Sequence, residues 1–257
     1  MPDTAVYAPG TPIWVDIAAA DVESTKRFYK SVFGWDAKAA ADDDSAGGYG
    51  MFTADGKLVA GYGPQQNPGQ PVAWSTYILV DDAAATTAAA KAAGATVLVD
   101  AMEVMDAGSM AVFADPTGAV ISVWQAGRHT GAELFNSPGA LTWNELATRD
   151  PGKAAEFYTT VFGWEAPGDP ATAEYTEWKN DGKVVGGMMP MGDRIPADVP
   201  PHWLAYFAVA SADDTVAAVE AAGGKVMMPA MDIPQGRFAV VTDPEGAAFA
   251  VIQMKAS

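Results

Sequence analysis

Hydrophobic positions along this chain change period in a regular order. From Pro12 to Ala18 they alternate, with Ile13, Val15 and Ile17 on one face and Trp14, Asp16 and Ala18 on the other, the two-residue period of a strand. Past Asp21, which stands where a helix cap belongs, apolar residues recur at Val22, Phe28, Tyr29, Val32 and Phe33 with helical spacing, and Gly34 supplies the stop. YGMFTADGKLVAGYG then predicts two strands joined at Asp55-Gly56, a pair suited to the left-handed backbone of a tight hairpin. WSTYILVDD restarts the order as a strand running into a second helix cap. An Ala-rich helix to Gly94 follows, then strands at ATVLV, SMAVFAD and AVISVWQ. The last two meet at Asp115-Pro-Thr-Gly, where a type I turn favours Asp, Pro and Gly.

The whole order is written twice. FYKSVFGW at 28–35 returns as FYTTVFGW at 157–164, 129 positions on, and the same offset relates Trp14 to Trp143, Trp74 to Trp203 and Gly94 to Gly223. The DPTG turn returns as DPEG from Asp243 at an offset of 128, and Asp55-Gly56 as Asp181-Gly182 at 126, so the drift is confined to loops. In the second half Asp150 is the cap and Pro151 the first helical residue, where its missing N–H costs nothing. A period this long reads as duplication of a complete domain. The expected organisation is a first domain over 1–128, a linker over 129–139 within the Gly-, Ser- and Pro-bearing stretch from Gly127 to Gly139, and a second domain over 140–257. Each half is two copies of strand, helix, then two or three strands, an α+β arrangement.

Composition narrows the partners. The 257 residues hold 15 Lys plus Arg against 32 Asp plus Glu, a formal charge of −17, which repels a nucleic-acid backbone or an anionic membrane surface. No cysteine is present, so disulfides, thiolate nucleophiles and thiolate metal sites are excluded. The opening MPDTAVYAPG has neither a basic start nor an apolar run, and no stretch approaches the roughly 20 apolar residues that span a bilayer; the expectation is a soluble cytoplasmic protein. Only two histidines occur, His129 in the linker and His202 beside Trp203, so a two-His metal site would form only if these met.

A strand before a capped helix carrying FY..VFGW, then hairpins, then DP.G before a final strand, resembles the vicinal oxygen chelate superfamily, which includes glyoxalase I, extradiol dioxygenases and bleomycin resistance proteins. Within it the chain is similar to tandem actinobacterial-type members loosely labelled hydroxylases or glyoxalases. The resemblance covers both halves. It implies four βαβββ modules in two glyoxalase-like domains, paired within or across halves, with curved mixed sheets enclosing a cavity and helices outside. Metal-dependent members carry His or Gln seven residues before the capping Asp, a position filled here by Trp14 and Trp143. The next ligand position falls on Ser75 and Leu204, and the Glu seven residues after the Asp of DP.G falls on Ser122 and Ala250. The remaining one lies in KLVAGY and KVVGGM, which contain no carboxylate or histidine. On this reading no divalent metal and no other cofactor occupies the family position.

If the strands keep the family orientation, Trp14, Ser75, Tyr77, Ser122, Trp124, Trp143, Leu204 and Tyr206 line the cavities as ligand-binding residues, an aromatic set with a few polar groups that suits a flat small molecule. The same rings would also serve as core filling. Asp16 and Glu145 follow the paired tryptophans by two positions, and burial there would raise a carboxyl pKa toward general acid or base use. His202 shares strand parity with Leu204 and Tyr206, which aims it at the cavity unless it sits at the rim after Pro200-Pro201. Asp16, Glu145 and His202 are therefore the candidate catalytic residues. Three functions follow: metal-independent binding of a planar or aromatic metabolite; a glyoxalase-like lyase or isomerase, or a hydroxylase or dioxygenase-like enzyme, with an atypical site; and a structural protein with a filled cavity. Tandem fusion supplies four modules in one chain, which is compatible with a monomer.

Overall fold

The structure, a computed structural model, describes residues 7–40, 46–67, 69–193 and 195–255. Six residues at the start of the first expected domain and two at the end of the second lie outside these. The first half comprises β1 (Pro12–Ala19), α1 (Val22–Phe33), β2 (Asp36–Ala39), β3 (Gly50–Ala54) and β4 (Lys57–Pro64), then β5 (Ala73–Leu79), α2 (Ala83–Ala92), β6 (Thr96–Val104), β7 (Gly108–Ala114) and β8 (Val120–Ala126). The second half repeats this as β9 (Ala140–Thr148), α3 (Pro151–Phe162), β10 (Thr176–Asn180) and β11 (Lys183–Pro190), then β12 (His202–Ala208), α4 (Ala212–Ala221), β13 (Lys225–Ile233), β14 (Gly236–Thr242) and β15 (Ala248–Met254). In the third module an isolated bridge from Glu165 to Lys179 stands where the first has β2.

Local chemistry sets these boundaries as the sequence predicts. Asp21 accepts from the Ser24 N–H and Asp150 from the Lys153 N–H, both at 3.0 Å, and the helices stop at Gly34 (φ 74°) and Gly163 (φ 69°). The hairpin centres Asp55-Gly56 (φ 49° and 78°) and Asp181-Gly182 (φ 49° and 72°) are both left-handed, as the twist of the flanking strands requires.

Strand pairing follows the sequence halves. One sheet has the order β2-β3-β4-β1-β5-β8-β7-β6 and the other β10-β11-β9-β12-β15-β14-β13. Both are mixed: β1 runs parallel to β4 and β5 to β8, β9 to β11 and β12 to β15, while the hairpins are antiparallel. Among the described residues no helix is long and apolar enough to cross a membrane.

Compact packing does not follow the halves. One unit contains the chain up to Ile13, Thr76–Gly131 and Trp143–Leu204; the other contains Trp14–Ser75, Ala132–Thr142 and the chain from Ala205 onward. In the first unit Tyr158 of α3 donates its hydroxyl to Asp115 Oδ2 at 2.9 Å and accepts from Trp203 Nε1 at 2.7 Å. In the second, Tyr29 of α1 donates to Asp243 Oδ2 at 3.4 Å and accepts from Trp74 Nε1 at 2.9 Å. The tyrosine of each repeated FY pair therefore holds the DP.G aspartate of the opposite half.

The turn aspartate is itself fixed. Asp115 Oδ1 accepts from the N–H groups of Thr117, Gly118 and Ala119 and from the Thr117 hydroxyl, at 2.7 to 3.1 Å. Its other oxygen is thus aimed at Tyr158. Burial, reinforced by the facing carboxylates, pushes both phenols well above their ordinary pKa, so they remain protonated donors.

The two units differ at one buried pair. In the first, Thr76 Oγ1 donates to Asn144 Oδ1 at 2.9 Å, both residues being buried. The equivalent positions in the second are Ala205 and Val15, members of its apolar core. Asn144→Val alone should cost about 1–3 kcal/mol because the Thr76 hydroxyl loses its acceptor, while Asn144→Val with Thr76→Ala should recover most of that loss. Urea unfolding of the two singles and the double measures the coupling, and additive losses would refute it.

Candidate functional site

Face assignment comes from the cores. Val15 and Ile17 of β1 pack with Phe28 and Tyr29 of α1, so Trp14 and Asp16 point to the helix-free side of the strand. There Trp14 Nε1 donates to the Tyr49 hydroxyl at 3.1 Å, and that hydroxyl donates to Asp16 Oδ2 at 3.2 Å. β4 lies alongside with Gly61 in register with Asp16, and a Cβ added to Gly61 would collide with the Tyr49 hydroxyl. The phenol needs glycine beneath it.

The third module builds the same group. Leu146 of β9 enters the core with Tyr158 of α3, leaving Trp143 and Glu145 on the other side. Trp143 Nε1 donates to the Tyr175 hydroxyl at 2.9 Å, and the Tyr175 hydroxyl is hydrogen-bonded to Glu145. Gly187 of β11 stands in register with Glu145, and a Cβ there would meet the Tyr175 hydroxyl. Burial first, and the neighbouring carboxylate second, push both phenols well up, so Tyr49 and Tyr175 hold their protons at neutral pH.

Equal in chemistry, the two groups differ in access. Trp14 is 3% exposed, whereas Trp143 is half-buried and Tyr175 is 44% exposed. Glu145, at 8%, lies beneath them.

The sequence reading named the tryptophans and carboxylates but not Tyr49, Tyr175, Gly61 or Gly187. A signal was present: Tyr49 and Tyr175 open the two hairpin stretches 126 positions apart, the offset of the Asp-Gly turns. What a single sequence does not show is that each phenol folds back over its own hairpin.

The other predicted residues take these places. In the second module Ile121 and Val123 enter the core, so Ser122 and Trp124 face away from it, with Tyr77 in register with Ser122. Tyr77 and Trp124 meet edge to face at 6.5 Å, and Trp124 Nε1 donates to the His129 carbonyl at 2.9 Å. Outward along this face Met110 is paired with Trp124 and Met102 with Met110. In the fourth module Tyr206 stacks on Phe238 at 6.1 Å. Leu204 is buried and Ser75 half-buried. His202 is half-buried with Nδ1 2.9 Å from the Pro200 carbonyl.

A divalent metal does not fit this donor set. At the positions that the resemblance implies for ligands stand the indoles of Trp14 and Trp143, the hydroxyls of Ser75 and Ser122 and the alkyl groups of Leu204 and Ala250, and among the described residues no group of three or more His, Asp or Glu is placed to hold a metal ion.

The Glyoxalase/Bleomycin resistance protein/Dioxygenase superfamily profile matches residues 12–123 and again 140–251. The chain belongs to this superfamily and carries its domain twice. It is 42% identical over 261 residues, 98% of both chains, to "Putative glyoxylase CFP32" of Mycobacterium tuberculosis. To "Anthracycline biosynthesis protein DnrV" of Streptomyces peucetius it is 38% identical over 265 residues, covering 97% of this chain and 95% of that one. Among solved structures, the 2,3-dioxygenase LapB from Pseudomonas sp. KL28 superposes with a TM-score of 0.66 at 15% identity, over 98% of this chain and 94% of that one. The Mn(II)-bound glyoxalase from Novosphingobium aromaticivorans gives 0.63 at 15%, over 98% and 86%. At such identity these two show the shared fold alone.

Proposed function

We propose that the chain binds a small planar aromatic molecule on its helix-free sheet faces, without a metal at the family position, and that the open Trp143–Tyr175–Glu145 group is the principal contact. The observation that carries this reading is a solvent-reaching indole, phenol and carboxylate bonded to one another on the helix-free face. Rings recognise flat ligands through stacking and edge contacts, and the few polar groups orient them. Tyr77, Ser122, Trp124 and Leu204 add contacts within the same unit, and Trp14, Ser75 and Tyr206 serve the other unit's own face. The name of the Streptomyces peucetius relative, which refers to a polycyclic aromatic product, supports a ligand of this class. We place the protein in the cytoplasm as a monomer, with domains at 1–128 and 140–257 and no cofactor.

The test is a titration of intrinsic tryptophan fluorescence with anthraquinone, acridine and 2-naphthol. Saturable quenching at micromolar ligand is expected, it should survive dialysis against EDTA, and Trp143→Phe should remove most of it. Absence of quenching by all three, or stoichiometric metal in purified protein, would sink the reading.

A second reading is an enzyme that moves a proton. The burial of Glu145 at 8% exposure and its bond to a phenol support this reading, and the name of the Mycobacterium tuberculosis relative is consistent with lyase chemistry. Glu145→Gln should then abolish turnover while leaving the melting temperature within a few degrees.

A further inference from the structure

The Trp143–Glu145 pair offers one donor and one acceptor that converge on a single oxygen. An indole N–H only donates and an ionised carboxylate only accepts, so the atom between them must accept and donate at once. A hydroxyl does this; a ketone, an ether or an ammonium does not. Tyr175 supplies that hydroxyl from the chain, 2.9 Å from Trp143 Nε1 and bonded to Glu145, over a floor that only glycine leaves open at Gly187. The first half repeats the arrangement with Trp14, Asp16, Tyr49 and Gly61, with the shorter aspartate bonded at 3.2 Å. Tyr175 stands just before β10, at the end of the loop from 166, and its ring is 44% exposed. It can therefore leave without breaking a strand.

We infer that Trp143 and Glu145 form a receptor for the hydroxyl of a phenolic ligand, and that Tyr175 is its tethered, displaceable occupant. This rests on the aromatic-binding reading above and narrows the ligand class to flat rings that bear a free hydroxyl.

Tyr175→Ala vacates the receptor. The variant should bind 4-methylphenol at least about tenfold more tightly than the wild type, and about tenfold more tightly than it binds the methyl ether of that phenol. Adding Glu145→Gln should cost about tenfold again. Tyr175→Phe, which keeps the ring in place, should show no gain. Equal binding of phenol and ether by Tyr175→Ala, or no gain over the wild type, overturns the inference whatever the larger aromatics do. A readout on unmodified protein stands beside it in case the variant fails to fold. Saturating 2-naphthol should increase acetylation of Tyr175 by N-acetylimidazole, mapped by mass spectrometry, and 2-methoxynaphthalene should not. Unchanged or reduced acetylation with 2-naphthol also overturns it.

Discussion

Tyr158→Phe should lower stability by about 3 kcal/mol, which for a chain of this size moves the melting temperature by roughly 6–12 °C. The loss is large because one oxygen serves two buried partners. Without it the Trp203 N–H, 2.7 Å away, has no acceptor and Asp115 Oδ2, 2.9 Å away, no donor. Asp115 keeps the four donors on its other oxygen, which limits the damage to the turn. Tyr29→Phe should cost less, about 2 kcal/mol, because its bond to Asp243 is already long at 3.4 Å. Differential scanning calorimetry of the two variants tests both the size and the order, and equal or negligible losses would show that these bonds are dispensable.

Stability should also fall steeply above about pH 10. Tyr29, Tyr49, Tyr158 and Tyr175 are each pushed above the ordinary phenol value, with burial the largest cause. Below pH 10 these groups are protonated whether the chain is folded or not, so they contribute no pH dependence. Above it the unfolded chain releases phenolic protons that the folded chain retains, and the balance shifts toward unfolding. Each group contributes up to about 1.4 kcal/mol per pH unit, so Tyr29 and Tyr158, fully buried, together give about 3 kcal/mol per unit. Tyr49 and Tyr175 reach solvent and add less. Urea unfolding at pH 9, 10 and 11, with absorbance at 295 nm reporting phenolate, measures this. Combining Tyr29→Phe with Tyr158→Phe should remove most of the slope, separating it from lysine titration and from repulsion among the acidic residues. A pH-independent midpoint up to pH 11 would contradict the burial assigned to these rings.

Much of the fold was legible because its signals are local. Asp21 and Asp150 cap helices through an atom three residues away, and Gly34 and Gly163 stop them by adopting a backbone that other residues resist. Strand parity is equally local: Ile13, Val15 and Ile17 on one side place Trp14 and Asp16 on the other wherever the strand lies. Which side chains share the helix-free face of the candidate site could therefore be read directly.

The partners of those side chains could not. Asp16 bonds to Tyr49 across 33 positions, and Tyr29 to Asp243 across 214. Periodicity carries no information at such range, because loop lengths and sheet twist decide which ends meet. The sequence alone determined a duplicated α+β domain, the register of its halves and the tryptophan and carboxylate that share one face of each first strand. Tertiary structure decided that each FY tyrosine would hold the other half's turn, and that of two similar Trp–Tyr–carboxylate groups the second would expose its indole and phenol more than the first. Exposure is a property of everything packed around a residue, and no stretch of chain contains that by itself.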